Sequence, residues 1–242
     1  MKCILLAAGY GTRLYPLTKD KPKALLELGN KTILDYILSK IEVSKKISKV
    51  YLISNNKFFS QFKDFIKKSN YKKEIELVND ETNYEETSLG AFGTLYYTLK
   101  QKNIDEDILV IASDNLFEFN LDEFVDYAIL KNRTCIAVYD VKDYEKAKHF
   151  GVMEIDKNSR ITGIEEKPKN PRSTLVSLAC YFIRKQDLIY IENYAKKKSR
   201  NQNLGNMIKY LLENLSLNAY IINGKWFEVG NLDEYEKAKR EF

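Results

Sequence analysis

The sequence predicts an α/β protein: a doubly wound, mixed but mainly parallel sheet with a small antiparallel layer added. Three observations carry this. Short apolar runs alternate with longer amphipathic stretches from residue 1 to about 140, the pattern of strand–helix–strand units with helices on both faces. Asp107-Ile108-Leu109-Val110-Ile111-Ala112 is nearly all apolar, as suits a strand at the centre of a parallel sheet. From Val152 onward, strand-like runs follow one another without long helices between them, which favours antiparallel pairing.

In order, Lys2-Cys3-Ile4-Leu5-Leu6 has the length and composition of a buried strand. A loop with two glycines follows. Residues 32–41 then place Ile33, Ile37 and Ile41 on one helical face with Leu34 and Leu38 beside them, and Thr32 with Asp35 fits a capping box. Residues 49–54 are expected to form a second buried strand, and 57–68 a helix with Phe58, Phe62, Phe65 and Ile66 inward. A third strand (74–78), a third helix (88–100) and the fourth strand (107–112) complete the first run. In the second half, 152–155, 161–164 and 175–183 are strands, with a turn at 156–159. Helices near 186–198 and 204–215, a strand at 219–222 and a closing helix at 231–241 end the chain. No Pro/Gly/Ser linker, repeat or low-complexity segment divides it, so one domain spanning 1–242 is expected, with halves at 1–140 and 141–242.

Composition narrows the class. The chain is 44% hydrophobic and 30% charged, which fits a globular protein rather than a disordered one. The net charge of +5 is mild, and patches such as Lys196-Lys197-Lys198 are most simply a solvated face. No basic stretch is interleaved with aromatics as a nucleic-acid surface requires. Cys3, Cys135 and Cys180 are sparse and lack CxxC spacing, which points to reduced thiols and a cytoplasmic protein. With His149 the single histidine, a Ser-His-Asp triad or a His-rich zinc site has little to draw on. No apolar run approaches the roughly 18 residues of a membrane span, and the apolar N-terminal run is too short for a leader peptide.

Leu5-Leu6-Ala7-Ala8-Gly9-Tyr10-Gly11-Thr12-Arg13-Leu14, followed by Lys21-Pro22-Lys23, concentrates the chemistry. Small residues at Ala7, Ala8, Gly9 and Gly11 let the backbone approach a ligand closely. Successive N–H groups in such a loop form an anion-binding concavity, and Arg13 and Lys23 add positive charge where phosphates would lie. The loop is not a dinucleotide fingerprint, since Leu14 stands at the third glycine, and it lacks the Gly-Lys-Ser/Thr of a P-loop. On spacing alone, an ordinary strand-to-helix turn with surface cations remains the plain alternative.

Ala8-Gly9-x-Gly11-Thr12-Arg13-Leu14-x-Pro16-Leu17-Thr18 with Lys21-Pro22-Lys23 resembles the signature of sugar-1-phosphate nucleotidylyltransferases, which join an NTP to a sugar phosphate and release pyrophosphate. The resemblance covers nearly the whole chain, best at 3–27, 107–119, 150–171 and 226–236, and is closest to glucose-1-phosphate thymidylyl- or uridylyltransferases in a short form. It implies a Rossmann-like nucleotidyltransferase fold whose first half binds nucleotide and whose second half binds sugar phosphate. Mg²⁺ would be the cofactor, and an NTP and a sugar 1-phosphate the partners; a homo-oligomer is left open. Because the chain ends on its closing helix, the acyltransferase domain of some relatives is expected to be missing.

The residue roles come with the resemblance. Ala7, Ala8, Gly9, Gly11, Thr12 and Arg13 would contact the nucleotide, with Gly90 of Leu89-Gly90-Ala91-Phe92-Gly93 near the nucleoside and Asn79 helping to read the base. Ser113-Asp114-Asn115 stands where members carry a Gly-Asp-Asn or similar, making Asp114 a metal ligand, although alone it is as much an Asx turn ending a strand. Trp226-Phe227-Glu228-Val229-Gly230 resembles a Trp-x-Asp-x-Gly segment, so Glu228 takes the place of the second metal ligand with a side chain about 1.5 Å longer; otherwise it is a surface glutamate next to a core tryptophan. Phe150-Gly151-Val152 would bring the Gly151 backbone to the sugar. In Glu165-Glu166-Lys167-Pro168, Glu166 would accept hydrogen bonds from sugar hydroxyls and Lys167 would contact the sugar phosphate, the alternative being an exposed charged turn.

A reaction that crowds anions together needs positioning and charge compensation more than proton transfer, because the phosphate nucleophile is already ionised. Arg13, Lys23 and Lys167 are the catalytic cations this implies. Two rivals stand beside this expectation: a choline-phosphate cytidylyltransferase of the same fold, and a nucleotide-binding regulatory module without turnover.

Overall fold

The computed structural model describes residues 1–197 and 203–242. Lys198, the end of the expected helix and of the lysine patch, lies outside the described residues. The first half runs β1 (Lys2–Leu6), a short hairpin of β2 (Glu27–Leu28) and β3 (Lys31–Thr32), α1 (Ile33–Val43), β4 (Lys49–Ser54), α2 (Phe59–Lys68), β5 (Glu74–Asn79), α3 (Gly90–Gln101), β6 (Ile108–Ala112), β7 (Asn115–Phe117), α4 (Leu121–Lys131) and β8 (Cys135–Asp140). The second half adds α5 (Tyr144–Ala147), β9 (Gly151–Ile155), β10 (Ile161–Glu166), β11 (Leu175–Ile183), α6 (Leu188–Lys197), α7 (Leu204–Asn214), β12 (Asn218–Ile221), β13 (Trp226–Glu228) and α8 (Leu232–Glu241).

Nine strands form one sheet in the order β10-β9-β11-β6-β1-β4-β5, with β8 paired to β11 and β12 to β8. β1 lies parallel between β4 and β6, so that Leu6 sits opposite Ile53 on one side and Ala112 on the other. The strand alternation divides the core. Cys3 and Leu5 face the buried residues of α1 and α4, while Ile4 and Leu6 face Phe92 and Leu95 of α3, Ile191 of α6 and Met207 of α7. Both faces of the central strands are therefore covered, which is why these runs are apolar throughout.

The antiparallel addition extends the edge of this sheet. β11 pairs antiparallel with β6 through Cys180–Ile183 and with β8 on its other side, and β9 and β10 continue from it. Two small antiparallel ribbons stand apart, β2–β3 and β7–β13. Thr32 and Asp35 do form the reciprocal capping box at the start of α1. Phe58 is buried but precedes α2 rather than joining it, held there because its N–H donates to Asn55 Oδ1 at 3.0 Å. Among the described residues, no helix is long and apolar enough to cross a membrane, and all three cysteines are buried and free.

Candidate active site

The glycine loop leaves β1 at the carboxyl ends of three adjacent parallel strands, the place where open α/β sheets bind ligands. Ala7 N–H still donates to Ile53 O at 2.9 Å. Beyond it, the N–H groups of Ala8, Gly9, Tyr10 and Gly11 meet no acceptor among the described residues. That leaves a run of donors free for an anion. Gly11 has φ +68°, and a Cβ there would come within 3.2 Å of the Thr18 methyl, so the bend needs glycine twice over. Thr18 is buried and its hydroxyl donates to Gly11 O at 2.7 Å, which pins the bend from below. Around Gly9 nothing lies within 4 Å of where a Cβ would stand; that space is open to a ligand. Thr12 Oγ1 donates to Glu85 at 2.9 Å and Tyr10 Oη to Thr82 at 3.1 Å, tying the loop to the segment before α3.

A cavity of about 200 Å³ opens over this loop. Ala7, Ala8, Gly9, Lys23, Gly90 and Asp114 all contribute to its wall. Lys23 arrives on a short 3₁₀ turn after Pro22, and its Nζ lies 2.6 Å from Asp114 Oδ2. Asp114 follows β6 after one intervening residue, Ser113. Burial alone would raise its carboxyl, but the Lys23 ammonium outweighs that and holds it below the ordinary range.

Glu228 comes from a segment more than a hundred residues away and is set beside Asp114 by the β7–β13 ribbon. It pairs in register with Asn115, and the next residue, Val229, donates its N–H to Asp114 O at 2.8 Å. Burial and the nearby Asp114 charge push Glu228 up to about 7, against the pull of Lys23 and Arg13. Asn115 joins the two elements. Its Nδ2 donates to Asp114 Oδ1 at 2.8 Å, and its Oδ1 accepts from the Trp226 indole N–H at 2.8 Å.

The second cluster lies on the antiparallel edge. Glu166, the last residue of β10, is paired across the ladder with Gly151 at the start of β9. Lys167 follows in the left-handed region at φ 47°, its N–H donating to Phe150 O at 3.0 Å. The phenol of Tyr181 on β11 is raised chiefly by burial, with the Glu166 and Glu228 charges both near enough to add to the effect.

The structure therefore brings Ala7, Ala8, Gly9, Lys23, Gly90 and Asp114 to one cavity, with Gly11, Thr12 and Arg13 on its loop and Glu228 beside Asp114. Gly151, Glu166 and Lys167 form the neighbouring cluster. Asn79 is the exception. Its Oδ1 accepts from Glu81 N–H at 2.9 Å and its Nδ2 donates to Asn56 at 2.8 Å, so its amide serves the end of β5 and does not line the cavity. Sequence reasoning assigned no part to Asn115, although an amide directly after a buried carboxylate was the available signal.

An open α/β sheet with an anion loop at its strand ends, a lysine–aspartate pair and a second acid defines a phosphate-handling protein of nucleotide-binding type. The comparisons make the class specific. The family model for nucleotidyl transferases matches residues 2–242, and the chain belongs to that family. It is 31% identical over 233 residues to the bifunctional protein GlmU of Methanocaldococcus jannaschii, an alignment covering 95% of this chain and 51% of that one. It is 30% identical over 256 residues to a glucose-1-phosphate adenylyltransferase of a Thermotoga species, covering 98% and 59%. The chain thus spans about half the length of these curated relatives. Its fold matches the crystal structure of a Bacillus anthracis protein named as a glucose-1-phosphate thymidylyltransferase, with a TM-score of 0.85 at 22% identity over 99% of this chain and 94% of that one.

Proposed function

We propose that this chain transfers a nucleotidyl group from an NTP to a sugar 1-phosphate, glucose 1-phosphate with dTTP or UTP being the favoured pair. The observation that carries the proposal is the meeting of Lys23, Asp114 and Glu228 at the mouth of the glycine loop. In the reaction, a phosphate oxygen of the sugar phosphate bonds to the α-phosphorus of the NTP. The bond from that phosphorus to the bridging oxygen breaks, and pyrophosphate leaves with the electron pair. The free loop N–H groups, Arg13 and Lys23 hold the triphosphate and the departing pyrophosphate, while Lys167 holds the attacking phosphate. Glu166 accepts hydrogen bonds from the sugar hydroxyls. The first half, 1–140, takes the nucleotide and the second, 141–242, the sugar phosphate.

Asp114 and Glu228 suit a magnesium ion, which takes one or two carboxylates and completes its shell with phosphate oxygens and water. Two neighbouring acids, one held low by a lysine and the other pushed up to about 7, form a pair short of positive charge, and a divalent cation meets that shortage. Bound there, it would neutralise phosphate charge.

The test is pyrophosphate release from a panel of NTPs and phosphorylated acceptors with Mg²⁺. Turnover with glucose 1-phosphate and dTTP or UTP is expected. Turnover only with choline phosphate and CTP would move the chain to the cytidylyltransferase reading. Nucleotide binding without release for any pair would leave a regulatory module.

A further inference from the structure

Two glycines flank one carboxylate oxygen. A Cβ on Gly151 would stand 3.2 Å from Glu166 Oε2, and a Cβ on Gly205 only 2.5 Å from the same atom. Gly151 is the cross-strand neighbour of Glu166, so its closeness follows from the ladder. Gly205 is different: it is the second residue of α7, some forty positions further along the chain, and belongs to another element. Its backbone does not require glycine, because it lies in a regular helical turn and not in the left-handed region. Glycine in a helix is otherwise unfavourable relative to alanine. The missing methyl leaves room for the Glu166 carboxylate at the first turn of α7, which Asn203 caps by accepting from the Asn206 N–H.

We infer that Gly205 is a positioning residue for substrate selection. By its lack of a side chain, the first turn of α7 seats the Glu166 carboxylate over Gly151, in the orientation from which it meets sugar hydroxyls. The inference rests on the proposed role of Glu166 in sugar binding. Glu166 is exposed and can swing away, so an added methyl at 205 displaces the carboxylate without unpacking the core. The substitution therefore separates function from stability.

The test uses Gly205→Ala, Glu166→Ala and the double variant, with glucose 1-phosphate as acceptor and UTP or dTTP as donor. For Gly205→Ala, KM for glucose 1-phosphate is expected to rise about tenfold or more, the scale of a weakened charge-assisted hydrogen bond. KM for the nucleotide should stay unchanged, and Tm should be unchanged or raised. In the Glu166→Ala background the same change at 205 should have no further effect on the sugar-phosphate KM. A substrate-free crystal structure of Gly205→Ala should show the Glu166 carboxylate moved off Gly151. An unmoved carboxylate, or equal KM values for Gly205→Ala and the parent, would overturn the inference. If Glu166→Ala itself leaves KM unchanged, the sugar-binding role of Glu166 falls instead.

Discussion

Replacing Lys23 with alanine probes the centre of the site. Its ammonium is 2.6 Å from Asp114 Oδ2, with side-chain exposures of 15% and 22%. Deleting one member of a fully buried pair costs about 3–5 kcal/mol, because the partner is left uncompensated. Partial exposure here reduces that to about 2 kcal/mol. In a chain of this size about 1 kcal/mol moves Tm by roughly 2–4 °C, so Tm should fall by about 4–8 °C. The loss depends on pH with a definite sign. Lys23 holds the Asp114 carboxyl below its unfolded value, so the stabilisation is fully present above the ordinary aspartate range near pH 4 and disappears as pH falls through the lower folded value. Melting curves of the parent and Lys23→Ala should therefore converge on acidification. Turnover, read as pyrophosphate release, should drop at least ~100-fold, the scale of one lost charge-stabilising donor. In the Lys23→Ala/Asp114→Asn double variant the buried charge is gone, so most of the Tm should return while turnover does not. Near-normal turnover in Lys23→Ala would remove the lysine from the catalytic set, and a Tm deficit that persists unchanged in acid would refute the ion-pair account of its stability.

Two further predictions concern the acid and the loop. Asp114→Asn should abolish Mg²⁺-dependent pyrophosphate release, and a titration with and without Mg²⁺ that shows unchanged metal dependence would take Asp114 out of the site. Gly11→Ala forces a side chain into the left-handed region and against Thr18, and should destabilise the fold by about 1–2 kcal/mol. It should also raise the KM for the NTP, because the bend aims the free N–H groups. Denaturant melts and initial-rate kinetics check the two effects, and a variant as stable as the parent would show that the bend tolerates a side chain.

Much of this was legible in the chain because it is local. The apolar run at 2–6 with the loop after it, and the strand at 107–112 with the acid two residues past its end, are each close in sequence, and strand-end placement follows from the fold class. The capping box of α1 is likewise a three-residue signal, and it forms as expected. What escaped is long-range. The family resemblance put Glu228 together with Asp114, but nothing in the pattern at 226–230 itself says that this ribbon pairs with 115–117, the pairing that sets the two side by side. The amide of Asn115 acquires its bridging part only once Trp226 is placed opposite it. Gly205 looks like a poor helix residue until the Glu166 carboxylate is seen against it. For Asn79 the resemblance implied a part in reading the base; in the structure its amide bonds Glu81 N–H and Asn56, contacts that no pattern at 79 discloses.

The charge arrangement at the loop gives the site its remaining logic. Four charged groups gather there: Arg13 and Lys23 against Asp114 and Glu228. As formal charges they balance, and Lys23 and Asp114 are paired with each other. On the proposed function, an incoming triphosphate would tip this balance strongly negative, and the attacking sugar phosphate would tip it further. Fixed N–H donors in the loop would offset part of that excess without reorganising, and Lys167 would offset another part from the second cluster. The two acids would add to the excess if left bare, and a divalent cation bound with the nucleotide, as proposed, would offset them. On the proposed function, Asp114 and Glu228 would hold that cation, and the Lys23 ammonium, paired with Asp114 at 2.6 Å, would then be available to phosphate. On this reasoning Lys23 and the cation compete for one carboxylate, so the Lys23→Ala variant should bind Mg²⁺ more tightly even as it turns over more slowly.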